Sequence, residues 1–127
     1  NKNMVTSDAV ARNLSPLGKQ VLIYNGETYD GTEKSLTQSL KNFRYLYIGL
    51  KTNIEYDYMF LPTENIRNGD VFARTMMFSN TLGQTTLPFS YQSSAKITIV
   101  SPTSFYVQSV YNNINWILKV YAIWGIN

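Results

Sequence analysis

The chain has 127 residues, 44% of them hydrophobic and 15% charged, a size and balance that fit one globular domain rather than a disordered tail or a multidomain enzyme. It contains no cysteine and no histidine, which excludes disulfides, Cys/His zinc sites, Cys–His and Ser–His nucleophile pairs and histidine acid/base chemistry. Eleven Lys and Arg against eight Asp and Glu leave a net charge of +3, scattered singly with no basic run to follow a phosphate backbone, so no nucleic-acid partner is expected.

Residues 1–18 read as a linker carrying the one helix signature of the sequence. Thr6 or Ser7 caps, Asp8 sits in the first turn near the positive dipole end, and Ala9 to Leu14 continue to the Ser15-Pro16 stop. With Thr6 as N-cap, Val5 packs on Val10 as a hydrophobic staple, and Val10 with Leu14 forms a narrow apolar stripe. About two turns fall short of the ~12–15 residues that hold in isolation. The segment must therefore lean on its own domain or on copies of itself, in the second case as a short bundle formed between chains. The chain opens at Asn1 without an initiator Met, so Asn1 is expected to be a cut point in a longer chain. No stretch approaches the roughly 18 to 20 apolar residues that cross a bilayer, and no membrane insertion is expected.

From Gln20 the period changes to alternation, with β-branched and aromatic residues in short runs separated by Gly, Asn, Asp, Ser and Pro. Strands are predicted near Gln20–Asn25, Glu33–Leu40, Arg44–Thr52, Glu55–Leu61, Asp70–Phe78, Thr86–Gln92, Ala95–Val100, Ser104–Tyr111 and Trp116–Trp124. In the third, Leu46, Ile48 and Leu50 oppose Tyr45, Tyr47 and Gly49, so both faces are largely apolar and the strand belongs mid-sheet. In the last, Trp116, Leu118, Val120, Ala122 and Trp124 alternate with Ile117, Lys119, Tyr121 and Ile123. Turns are expected at Asn25-Gly26, Asp30-Gly31, Asn68-Gly69-Asp70, Leu82-Gly83 and Ser101-Pro102. Pro88 demotes its segment to an edge strand or a bulge. The spacing fits an antiparallel β-sandwich, jelly-roll-like, over residues 19–127 behind the short N-terminal helix.

Chemistry without histidine or cysteine falls on carboxylates, Lys, Tyr or a metal. The closest acid pair is Glu55-Tyr56-Asp57, whose alternate positions share one strand face, the kind of spacing a glycosidase pair needs. Two acids at i and i+2 are also ordinary on a solvated strand, and no catalytic residue is assigned. Glu27, Asp30, Glu33 and Asp70 lie in turn-rich loops without a calcium-loop ligand pattern, and Gly26, Gly31 and Gly69 stand alone without a phosphate-cradling motif, so neither metal nor cofactor is assigned. Aromatic residues make 14% of the chain, ten of them Tyr. Those beside amides, hydroxyls and carboxylates are the candidates for ligand binding: Tyr56 and Tyr58, then Tyr91 and Gln92 ahead of Ser93-Ser94, then Tyr111, Asn112 and Asn113. Such clusters take sugar hydroxyls while a ring stacks on the C–H face, and they suit protein partners equally.

Two segments carry a resemblance. Asn3-Met4-Val5-Thr6-Ser7-Asp8-Ala9-Val10 resembles the N-P-V-T-S-x-A-V linker of bacteriophage tail-fibre and baseplate proteins, with Met4 where the family has Pro. Val21-Leu22-Ile23-Tyr24-Asn25-Gly26, then Ser35 to Leu40, Phe43 to Ile48 and a closing Ile123-Trp124-Gly125-Ile126 are similar to the C-terminal domain of such fibres and minor structural proteins. The resemblance implies a β-sandwich tip on a homotrimeric fibre at the virion tail. It also implies contact with a saccharide or protein of the bacterial surface, outside the cell, and with other virion tail proteins. It brings no catalytic residue. The alternative it leaves open is a structural trimerising cap or adaptor without a ligand site of its own.

Overall fold

The computed structural model describes residues 19–79, 90–111 and 114–127. The expected N-terminal helix, the Leu82-Gly83 turn and Pro88 lie outside them. The described residues form eight strands: β1 (Gln20–Thr28), β2 (Lys34–Ser35), β3 (Tyr45–Lys51), β4 (Tyr56–Pro62), β5 (Val71–Ser79), β6 (Ser90–Ser101), β7 (Ser104–Tyr111) and β8 (Lys119–Ile126). They form two four-stranded sheets ordered β1-β8-β3-β4 and β2-β7-β6-β5, and every pairing is antiparallel. The first strand pairs with the last and the second with the seventh, the nested wrapping of a jelly roll. Inside that wrap β3 turns back on β4, while β5, β6 and β7 lie side by side as a meander.

The alternation read from the sequence places the core. Leu46, Ile48 and Leu50 of β3, Val120 and Ile123 of β8 and Met59 of β4 meet Ala95, Ile97 and Ile99 of β6 and Phe105 and Val107 of β7, all buried in one cluster. Each large apolar side chain withdrawn this way stabilises by about 1.5–3 kcal/mol. Tyr24 of β1 reaches across to Phe105 of the opposite sheet, edge to face at 5.0 Å. Hydrogen bonds close one end of the sandwich. Lys41 Nζ donates to the carbonyls of Thr63 (2.9 Å) and Ile66 (2.6 Å), and the Thr63 hydroxyl donates to the Phe43 carbonyl.

Four sequence expectations are corrected. Glu33–Leu40 contributes only the two-residue β2, because Leu36 and Leu40 turn into the core and the chain then enters a 3-10 turn, Leu40–Asn42, capped by the Ser39 side chain. Asn25-Gly26 is not a hairpin turn: it lies within β1, where the register to β8 shifts between Asn25 and Thr28. The predicted break at Ser93-Ser94 does not occur: β6 runs unbroken from Ser90 to Ser101 and so joins the end of the predicted Thr86–Gln92 strand to the predicted Ala95–Val100 strand. The last strand begins at Lys119, after a 3-10 turn at Ile114–Trp116. Its strict alternation breaks at a register shift, where Gly49 faces Ala122 and Leu50 faces Val120. Val120 and Ile123 therefore face the core while Tyr121, Ala122, Trp124 and Ile126 gather in a second cluster on the other side of the sheet.

Candidate functional site

That second cluster is the inner part of an aromatic band on the outer face of the β1-β8-β3-β4 sheet. Period-2 alternation sends Tyr45 and Tyr47 of β3 and Tyr56, Tyr58 and Phe60 of β4 outward, beside Tyr121 and Trp124 of β8. Tyr45 stacks on Phe60 at 4.9 Å and Tyr47 on Tyr58 at 5.1 Å with ring planes 8° apart. These separations match the ~4.8 Å between neighbouring strands, so the rings stand upright on the sheet and share faces with one another. Tyr56 meets Tyr121 edge to face at 5.5 Å, and Tyr121 meets Trp124 likewise at 6.2 Å. Tyr121 and Trp124 are buried within the band, whereas Tyr56 and Phe60, on a strand with no neighbour beyond it among the described residues, are 55% and 44% exposed.

The band exists because one residue has no side chain. A Cβ on Gly49 would sit 2.7 Å from the Tyr121 ring, so only glycine lets that ring lie over β3 and send its hydroxyl to the Tyr58 hydroxyl, 2.9 Å away. Burial, and then the bond to Tyr58, push the Tyr121 hydroxyl far above the usual phenol range, and burial raises Tyr47 as well. Both are neutral phenols at physiological pH.

Charge brackets the band. At one end Glu27 lies between Lys51 (2.9 Å) and Lys119 (3.5 Å), with Lys51 Nζ 5.7 Å from the Tyr121 ring centre. The hydrogen bond from Lys51 is the main reason the Glu27 carboxyl is held below its usual range. At the other end the Arg44 guanidinium lies 5.8 Å from the Tyr45 ring, beside a depression of about 450 Å³ lined by Phe43, Arg44, Tyr45, Pro62, Thr63 and Glu64.

The carboxylates of the acid pair do not act together. Glu55 precedes β4, in a turn where its N–H donates to Thr52 Oγ1 (3.1 Å) and its carbonyl accepts from the Thr52 N–H (2.9 Å). Asp57 faces away from the band toward β5, where Arg74 Nε lies 3.2 Å from its Oδ2, an ion pair by distance without an aligned hydrogen bond. The same guanidinium donates to the Tyr58 carbonyl at 2.8 Å. Among the described residues no three carboxylates gather as a metal site would require, and no helix is long and apolar enough to cross a membrane.

Of the residues singled out in the sequence, Tyr56 and Tyr58 lie in the band, and Gln92 and Tyr111 come together elsewhere, on the second sheet. Gln92, Ser94, Val110 and Tyr111 line a depression of about 230 Å³, and Tyr29, Asp30, Gln108, Ser109 and Tyr111 line another of about 280 Å³. The structure does not join the two groups. Asn112, Asn113 and the side chain of Tyr91 lie outside the described residues. Tyr45, Tyr47, Phe60, Tyr121 and Trp124 were missed as site residues because an aromatic-rich strand face reads as core. The available cue was that the same faces end in Lys51 and Lys119. No protein-family model matches the chain, and neither does any curated protein.

Proposed function

We propose that this chain is a non-catalytic attachment domain of a bacteriophage tail fibre or receptor-binding protein, engaging a saccharide or protein of the host bacterial surface through the band on β3, β4 and β8. One observation carries the reading: seven aromatic side chains stand on the outward face of one sheet, two of them about half exposed, with cationic side chains at both ends. Aromatic residues and Arg are the groups that anchor recognition surfaces, and an exposed apolar surface of this kind marks an interaction site. The resemblance to tail-fibre domains supplies the biological setting, a homotrimer at the virion tip, where several weak sites acting together raise avidity by orders of magnitude. The absence of histidine and cysteine and the separate engagements of Glu55 and Asp57 support attachment over turnover.

The test is binding of the labelled full chain to a panel of bacterial cell-wall and capsule preparations. Tyr58→Ser with Phe60→Ser, folded by circular dichroism, is expected to lose at least tenfold in binding. Retention by this variant overturns the assignment to the band, and release of reducing ends from any preparation overturns the non-catalytic reading. A second reading, a structural cap that meets another virion protein, is favoured by the upright stacking itself, since rings that occupy one another's faces offer edges and hydroxyls outward. Under that reading the double variant leaves cell-wall binding at background and instead lowers the mass seen by light scattering in the presence of tail proteins.

A further inference from the structure

We propose a second, separate ligand site on the other sheet, where two depressions that both include Tyr111 in their lining take a disaccharide unit of a neutral glycan. This does not rest on the reading of the aromatic band. The site is built on fixed backbone: the segment after β1 is tied to β7 by Gly31 N–H to Val107 carbonyl (2.8 Å) and Ser109 N–H to Tyr29 carbonyl (3.1 Å), and Asp30 bridges to Gln108. Tyr29 and Tyr111 flank it, 37% and 43% exposed, and neither ring stacks on another among the described residues, unlike the rings of the band.

The polar groups select the ligand. Asp30 Oδ1 accepts from the Thr32 N–H at 3.1 Å, and hydrogen bonds from Thr32 keep the carboxyl below its usual range, so the carboxylate only accepts. The Ser109 hydroxyl donates its proton to the Leu118 carbonyl and has none to give a ligand. A ligand here must bring donors, while the Gln108 amide both donates and accepts. Sugar hydroxyls meet that requirement and their C–H faces meet the tyrosines. An organic cation also brings donors, but the Lys34 charge acts on Asp30 and the chain carries +3 overall, which opposes it. Each depression is smaller than the ~300–1,000 Å³ of a drug-sized pocket and suits one ring. Shallow sites of this type bind in the millimolar range.

Backbone-amide NMR titration with lactose, maltose, cellobiose and chitobiose, and with choline as the cationic probe, tests the proposal. At least one disaccharide is expected to shift the amides of residues 29–32, 92–94 and 108–111, with an affinity unchanged by added salt. Tyr111→Ala, at an exposed position that leaves the fold intact, is expected to weaken it at least tenfold, Asp30→Asn several-fold and Tyr111→Phe little. No shift of these amides with any of the four sugars, shifts with choline alone that salt abolishes, or full retention by Tyr111→Ala each overturn it. Shifts confined to β3 and β4 would overturn this site while supporting the band.

Discussion

Substituting Gly49→Ala puts the close approach of Tyr121 under direct strain. The new Cβ would meet three atoms of the Tyr121 ring and hydroxyl at 2.7, 2.8 and 3.0 Å, so the ring must lift. It is not free to do so: its hydroxyl donates to Tyr58, Tyr56 abuts one side and Trp124 another. Overpacking of this kind costs about 1–3 kcal/mol. Alanine is the better strand residue than glycine by about 0.5–1 kcal/mol, which leaves a net loss of about 1–2 kcal/mol. With a urea m-value of about 1.5 kcal/mol/M for a chain of this size, the midpoint falls by about 1 M. The decisive assay is a double-mutant cycle with Tyr121→Ala, which removes the obstructing ring at a cost of about 3 kcal/mol. In that background Gly49→Ala should become neutral or stabilising, a coupling of about 2 kcal/mol. A neutral Gly49→Ala in the parent chain, or a penalty that persists without the ring, would refute the reasoning.

Thr28 is buried and its hydroxyl finds no partner among the described residues, so Thr28→Val should stabilise by about 1 kcal/mol, read as a rise in Tm. Arg74→Met removes the donor to the Tyr58 carbonyl and the ion pair to Asp57, and thermal unfolding should show a loss of about 1–2 kcal/mol. The lowered Glu27 carboxyl contributes stability that is present above its unfolded pKa of about 4.3 and lost as pH falls through the lower folded value. Because Glu27 is half exposed, the contribution is at most about 0.5–1 kcal/mol and salt-sensitive. The stability difference between Glu27→Gln and the parent should therefore shrink as urea unfolding is repeated from pH 6 down to pH 3. Burial raises the hydroxyls of Tyr24, Tyr47 and Tyr121, so an ultraviolet titration of the native chain should leave these three of the ten tyrosines un-ionised past about pH 10, and stability should fall above that pH as the unfolded phenols ionise.

The sandwich was legible because alternation is a local property. Leu46-x-Ile48-x-Leu50 marks a core face whatever lies around it, and the predicted Ser104–Tyr111 strand matches β7 residue for residue. What alternation does not encode is which apolar face receives a second layer. Tyr45 and Tyr47 read as buried, yet no sheet among the described residues covers them, and they became part of the candidate site. Departures from strict period 2 were equally hidden, since the register shift beside Tyr121 depends on β3 and β8 being neighbours at a separation of some seventy residues. Asp30 and Gln108 were legible only as a turn acid and a strand amide. Their convergence needs the pairing of distant segments that closes the wrap.

Gln20 lies opposite Ile126, and the Asn127 N–H donates to the Lys19 carbonyl, so Lys19 and Asn127 sit at one pole of the sandwich on adjacent antiparallel strands. Tension between these two points would open the β1–β8 ladder rung by rung, its bonds running across the strands and lying along the pull. Tension entering at Lys19 and resisted at β4 passes through the β1–β8, β8–β3 and β3–β4 ladders in turn, each carrying the whole load.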